Sequence, residues 1–220
     1  RGGIPTKTYV HSATFEEARA RMAAVVAQLR GGVESILSHP DTTLLRGKAS
    51  FVNPTTVRVS CDGGIAKGTG APQETGAAGA KGTGATQEAG AAEVMVEARH
   101  IIIATGSSAK MPPIEGITTD PRVVDATGLL ALDKLPKRLC IIGAGVIGME
   151  FASVFQRFGS EVMVIEAMKE CLPMLGSDIA KRLRKLLEKR GITFRMKTAL
   201  TSLQDIDADV ILVATGRQPN

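Results

Sequence analysis

The chain has 220 residues, 44% of them apolar and only 3% aromatic, with 27 basic and 22 acidic side chains and a formal charge of +5. That is enough apolar material for a buried, mainly aliphatic core, and the basic residues are scattered instead of forming a Lys/Arg block or an aromatic-spaced stripe, which argues against a nucleic-acid partner. No run of 18 apolar residues occurs, so no membrane helix is expected, and Cys61, Cys140 and Cys171 make neither a CxxC pair nor a metal-ligand cluster, which points to no metal and to a reducing, cytoplasmic compartment.

Thr14 and Glu17 have capping-box spacing, and Ala18, Met22, Val25, Val26, Leu29, Val33 and Ile36 follow at helical intervals, predicting one amphipathic helix over 15–37. GKASFV and TVRVS flank Asn53-Pro54 as a hairpin, and EVMVEA at 93–98 reads as the next strand. Between them, 66–79 and 80–93 match at 11 of 14 positions. This tandem duplication is rich in Gly, Ala and Thr, has almost nothing large and apolar to bury, and predicts a flexible loop over 62–92.

HIIIATGSSA and PPIEGI precede a change of periodicity. Arg138 to Gly143 reads as a strand, Val146 to Phe158 as a helix closed by Gly159, and Glu161 to Glu166 as a second strand. Ser177 is placed to cap a helix whose Ile179, Leu183, Leu186 and Leu187 face inward and which stops at Gly191. ITFRM and ADVILVATG are two further strands. Strands alternating with helices of this length predict an α/β protein with a helix-covered parallel sheet.

Gly143, Gly145 and Gly148 form a GxGxxG (GAGVIG, with Val146 and Ile147) directly after an apolar strand and at the start of a helix, and Glu166 ends the next strand 18 residues later. In that setting Gly143 allows a tight turn, Gly145 lets the backbone approach a pyrophosphate, and Gly148 lets helix and strand pack closely. Helix N–H groups then face the phosphates. A carboxylate at Glu166 accepts hydrogen bonds from ribose hydroxyls and repels a 2′-phosphate, which favours NAD over NADP; a purely structural glycine turn is the alternative.

Two ATG stretches, Ala104 to Ser107 and Val213 to Asn220, bracket this fingerprint, and IPTK at 4–7 lies upstream. Together with IPTKTYVHSA and GAGVIGMEFASVFQRFGSEVMVIEA, the pattern resembles the pyridine-nucleotide disulfide oxidoreductases, most of all those of the dihydrolipoyl dehydrogenase type. The resemblance implies a two-dinucleotide-binding-domain flavoprotein fold: a partial FAD-binding domain over 1–110 and a Rossmann-like NAD-binding domain over 111–220. It implies FAD and NAD as cofactors, a lipoyl-bearing protein or other disulfide as substrate, a homodimer, and a mitochondrial matrix location in a eukaryote. Lys7 is implied near the flavin, paired with Glu150; Ala104, Thr105, Gly106 and Arg217 near FAD; and Gly216 with the NAD-side residues. A surface lysine and a helix-surface glutamate remain the alternatives for Lys7 and Glu150.

The family motif has two redox cysteines, the second immediately before IPxK, and here that position is Gly3. The initial Arg leads to the expectation of a longer protein, with the first glycine-rich turn, the first cysteine and the dimerisation domain outside this stretch. Because the segment between ITFRM and ADVILVATG is short, the family's β-meander is expected to be missing, leaving one face of the NAD-side sheet uncovered. Two functions follow: a piece or divergent member of an NAD-linked disulfide reductase that lacks the dithiol step, or a non-catalytic NAD-binding remnant or interaction module.

Overall fold

A computed structural model describes residues 3–61 and 93–220. The loop expected at 62–92 lies outside the described residues. The chain divides into two compact units within its second helix: residues 3–26 with Thr105–Asn220, and Ala27–Ala104.

In the first unit, α1 (Gly3–Val10) leads into α2 (Phe15–Leu37). The expected cap is present: Glu17 N donates to Thr14 Oγ1 at 3.1 Å, and the Glu17 carboxylate reaches back to Ala13 N at 2.9 Å. Of the apolar stripe predicted along α2, only Ala18 is fully buried, beside Phe15, while Leu29, Val33 and Ile36 are exposed. Helical periodicity thus located the helix correctly but overstated how far along it the burial extends. The second unit contains the expected hairpin, β1 (Gly47–Asn53) and β2 (Thr56–Cys61), with β3 (Glu93–Glu97) antiparallel beside β2. Asn53 Oδ1 accepts Thr55 N at 2.9 Å and closes the turn.

Back in the first unit come β4 (Ser107–Ala109), β5 (Val123–Val124), α3 (Ala126–Leu130), β6 (Arg138–Ile142), α4 (Val146–Phe158), β7 (Glu161–Ile165), α5 (Ser177–Lys189), β8 (Thr193–Arg195), β9 (Val210–Val213) and β10 (Arg217–Pro219). Five strands form a parallel sheet in the order β5-β9-β6-β7-β8. From β6 the chain winds outward through β7 to β8, then returns to the other side of β6 as β9. The order therefore reverses between β6 and β9, which is where an open α/β sheet binds its ligand.

Alternation along the strands divides the core in two. Leu139, Ile141, Val162, Val164 and Leu212 join α4, α5 and an aromatic cluster on one face; Cys140, Ile142, Ile165, Ile211 and Val213 point into the other. The second face is not left uncovered, as the short β8–β9 segment had led us to expect. Ile114, Ile117, Leu203, Ile206 and Ala208 pack on it, and Leu203 N donates to Glu115 O at 3.1 Å. Arg122, held by Asp120, donates to Ile206 O at 2.8 Å and Ala208 O at 3.3 Å, tying this cover down.

The aromatic cluster docks the N-terminal helix on α4. Tyr9, Phe15, Phe151, Phe155 and Phe158 lie with ring centroids 6.0–6.4 Å apart. Arg157 completes the joint by donating to Val10 O at 2.8 Å, Tyr9 O at 2.9 Å and Ser12 O at 3.0 Å, carbonyls at and just beyond the end of α1.

Helix α5 departs from expectation in two details. Gly176 occupies the cap position and Ser177 is the first helical residue, making no capping hydrogen bond. The inward residues are Ala180 and Leu187 with Leu183 packed beside them, whereas Ile179 and Leu186 are exposed. The 13-residue helix turns only one narrow side to the sheet, and both exposed residues fall off that stripe.

Arg184 on α5 binds Glu170 through Nε at 2.7 Å and Nη2 at 3.1 Å, both side chains being 19% exposed. The guanidinium hydrogen bond, followed by smaller effects, holds the Glu170 carboxyl down at about 2. A carboxyl depressed in the folded state stabilises fully above its unfolded value and loses that contribution as pH falls through the folded value. Stability is therefore expected to fall between pH values of about 4.5 and about 2, and Glu170→Gln to flatten that part of an acid-unfolding profile. An unchanged profile would contradict the assignment.

Candidate functional site

At the reversal between β6 and β9, each glycine of the GxGxxG has a distinct physical reason to be glycine. Gly143 has φ +105°, and a Cβ there would stand 2.6 Å from Ala214 O, so the turn passes directly under the end of β9. At Gly148 a Cβ would lie 2.1 Å from Gly143 O and 3.2 Å from Ile141 Cγ2, which allows α4 to sit against β6. Gly145 differs: it caps α4 with φ −75° and ψ −174°, and a Cβ would meet nothing within 4 Å. Its outer side is open, as close approach of a ligand backbone or phosphate requires.

Val146 begins α4 and is 57% exposed. Gly145, Val146 and Ile147 have no backbone acceptor for their N–H groups among the described residues. These donors, with the N-terminal end of a 13-residue helix, suit an anionic group. The residues thus fit the pyrophosphate of a dinucleotide.

Glu166 follows β7 at the same end of the sheet and is occupied by the protein itself. Its Oε2 accepts Ala144 N at 2.7 Å and its Oε1 accepts Met168 N at 2.8 Å. The sequence pattern located this carboxylate but not its backbone partners, which only the fold brings near.

The two ATG stretches, far apart in sequence, meet. β4 and β10 pair antiparallel with Ser107 opposite Pro219 and Ala109 opposite Arg217. Lys110 N donates to Gly216 O at 3.0 Å, Asn220 N to Gly106 O at 3.2 Å, and Thr105 Oγ1 to Asn220 O at 3.3 Å. Arg217 donates through Nε to Ser107 Oγ at 2.8 Å and through Nη2 to Ser107 O. Gly106 and Gly216 both have positive φ, at +85° and +116°, and form the corners of this ribbon. Sequence reasoning marked Thr105, Gly106, Gly216 and Arg217 but not the pairing, because three-residue strands leave almost no periodic signal. Ala104 is the last residue of the other unit.

Lys7 on α1 and Glu150 on α4 are both exposed, and among the described residues no ion pair joins them. Glu150 instead lines an open cleft with Val10, Ser153 and Arg157. For a flavin, the described residues offer the Thr105–Arg217 ribbon and these two unpaired charges, but no cradle comparable to the glycine turn. Gly3 begins α1, is exposed, and a Cβ there would meet nothing within 4 Å. Cys61, Cys140 and Cys171 are all buried free thiols. Burial pushes Cys140 and Cys171 up to about 11, which keeps them as unreactive thiols.

His11, His39 and His100 are exposed. No cluster able to hold a metal and no helix long and apolar enough to cross a membrane occur among the described residues.

Comparison with known proteins points the same way. The family model described as pyridine nucleotide-disulphide oxidoreductase matches residues 1–220. The mitochondrial dihydrolipoyl dehydrogenase of Pisum sativum is 30% identical over a 260-residue alignment covering 99% of this chain and 46% of its own. Leghemoglobin reductase of Glycine max is likewise 30% identical, with 99% of this chain and 44% of its own covered. Among solved structures, the HOCl-induced flavoprotein disulfide reductase RclA from Escherichia coli superposes with a TM-score of 0.78 at 32% identity, over 100% of this chain and 47% of that one. The chain spans about half the length of these relatives. With its parallel Rossmann-like sheet, its glycine turn at the point of strand reversal and a family match along its full length, the chain belongs to the pyridine nucleotide-disulphide oxidoreductases.

Proposed function

We propose that this chain supplies the NAD-binding part of a flavoprotein reductase resembling dihydrolipoyl dehydrogenase, and that the dithiol half-reaction is lost where Gly3 replaces the redox cysteine. The observation that carries the first half is Gly145, whose open side and neighbouring free N–H groups lie where the strand order reverses. In this reading Gly145, Val146 and Ile147 hold the pyrophosphate, Gly143 and Gly148 keep the turn tight, and Glu166 favours NAD by repelling a 2′-phosphate. Gly216 adds to the nucleotide side, and residues 111–220 act as the NAD domain.

Lys7, Ala104, Thr105, Gly106 and Arg217 are assigned to the flavin side by family resemblance, with Glu150 approaching Lys7 when the flavin is bound and residues 1–110 contributing part of the FAD domain. Bound together, nicotinamide and flavin exchange a hydride. The substrate in this reading is a disulfide or lipoyl group on a partner protein, the assembly a homodimer, and the compartment reducing, in keeping with three free cysteines.

The exposed glycine at position 3 and the burial of every cysteine favour a second reading, a non-catalytic NAD-binding module. Titration of the protein with NADH, followed by nicotinamide fluorescence, tests the common part: saturable binding is expected, and none at millimolar levels in a folded sample would overturn it. The full-length protein carrying Gly3 is expected to bind yellow flavin and pass electrons from NADH to a dye without turning over dihydrolipoamide. Lipoamide turnover by that protein would refute the account of Gly3, and absence of both flavin and dye reduction would establish the second reading.

A further inference from the structure

The Glu166 carboxylate has a task beyond the ribose. Ala144, inside the glycine turn, is fully buried, and its peptide groups are held from outside the turn on both sides. Its N–H donates to Glu166 Oε2 at 2.7 Å, and its carbonyl accepts Leu172 N at 2.9 Å. Leu172 has φ +48°, a left-handed conformation uncommon for leucine, which here accompanies the hydrogen bond its N–H makes to Ala144.

Glu166 is itself fixed along its length. Its backbone N donates to Arg195 O at 2.9 Å, its carbonyl accepts Thr198 N at 2.9 Å, and its second carboxylate oxygen accepts Met168 N at 2.8 Å. We propose that Glu166 is a positioning residue for the glycine turn, clamping the Ala144 peptide so that the free N–H groups of Gly145, Val146 and Ile147 are aimed at phosphate before any nucleotide arrives. Charge-assisted hydrogen bonds to backbone N–H groups are strong enough for this, and an oriented donor set binds an anion without first having to be ordered. This inference rests on the dinucleotide reading above.

A residue that contacts only the ribose would affect only ligands bearing its hydroxyls. A clamp affects phosphate binding whatever the sugar. In Glu166→Gln one of the two backbone donors faces an amide N–H instead of an oxygen. ADP and 2′,3′-dideoxy-ADP, titrated well below the melting temperature, are expected to lose affinity together, each by about tenfold. Glu166→Asp, which keeps the charge on a shorter arm, is expected to recover part of the loss for both. Loss for ADP with 2′,3′-dideoxy-ADP unaffected would overturn the clamp in favour of a ribose contact.

Should Glu166→Gln fail to fold, hydrogen exchange on the ligand-free natural protein decides the matter. The Ala144 amide is expected to exchange at least about tenfold more slowly than the Gly145 amide, and equal rates would overturn the proposal. If the natural protein bound neither nucleotide while Ala144 stayed protected, the dinucleotide reading would fail and the clamp would stand as a structural device.

Discussion

Phe155→Ala is expected to destabilise the sheet-containing unit by about 3–5 kcal/mol, since it deletes a fully buried ring from a close-packed core. Phe155 projects from α4 onto the N-terminal segment. It stacks on Tyr9 at 6.4 Å, meets Phe15 edge-on at 6.0 Å, and also touches Phe151 and Phe158. The cavity would open where residues 3–26 dock, so the variant is expected to lose protection of that segment against protease before the parallel sheet melts. Phe51, exposed on β1 in the other unit, is the matched control, and Phe51→Ala is expected to change stability by no more than about 0.5 kcal/mol. Equal effects of the two substitutions in urea unfolding would contradict this view of the core.

Two alanine substitutions in the glycine turn are expected to separate folding from binding. Gly148→Ala drives a methyl group into Gly143 O, a backbone atom that no rotamer change can move aside, so α4 must shift from β6 at a cost of about 1–3 kcal/mol. Gly145→Ala meets no protein atom and sits at an ordinary negative φ. It is expected to leave stability within about 0.5 kcal/mol while weakening NADH binding by tenfold or more, about 1.4 kcal/mol, because its methyl group projects into the open approach to the turn. Thermal melts and NADH titrations of both variants check the pair. Intact NADH affinity in Gly145→Ala would place the pyrophosphate elsewhere.

The same contrast explains what could be read without coordinates. GAGVIG was legible because the chemistry is local: three glycines, a strand before, a helix after and an acid one strand later all lie within about 30 residues. The helix over 146–158 and its Gly159 stop were equally legible, since periodicity and a left-handed glycine cap, φ +107°, are short-range properties. Where burial depends on a partner from another part of the chain, the pattern misled. Ile179 and Leu186 have helical spacing but stay exposed among the described residues, as do Leu29, Val33 and Ile36.

The sequence by itself determined the α/β class, the order of strands and helices around the glycine turn, the acid at Glu166 and the absence of a cysteine at position 3, because each is written in the identity and spacing of nearby residues. Only the tertiary structure decided that β9 returns beside β6, that β4 pairs with β10, that 114–117 and 203–208 cover the second sheet face, and that Glu166 holds the Ala144 peptide. These contacts join residues from 22 to more than 100 positions apart. Their energy comes from burial and hydrogen bonds that exist only after the chain has closed on itself, so no local pattern announces them.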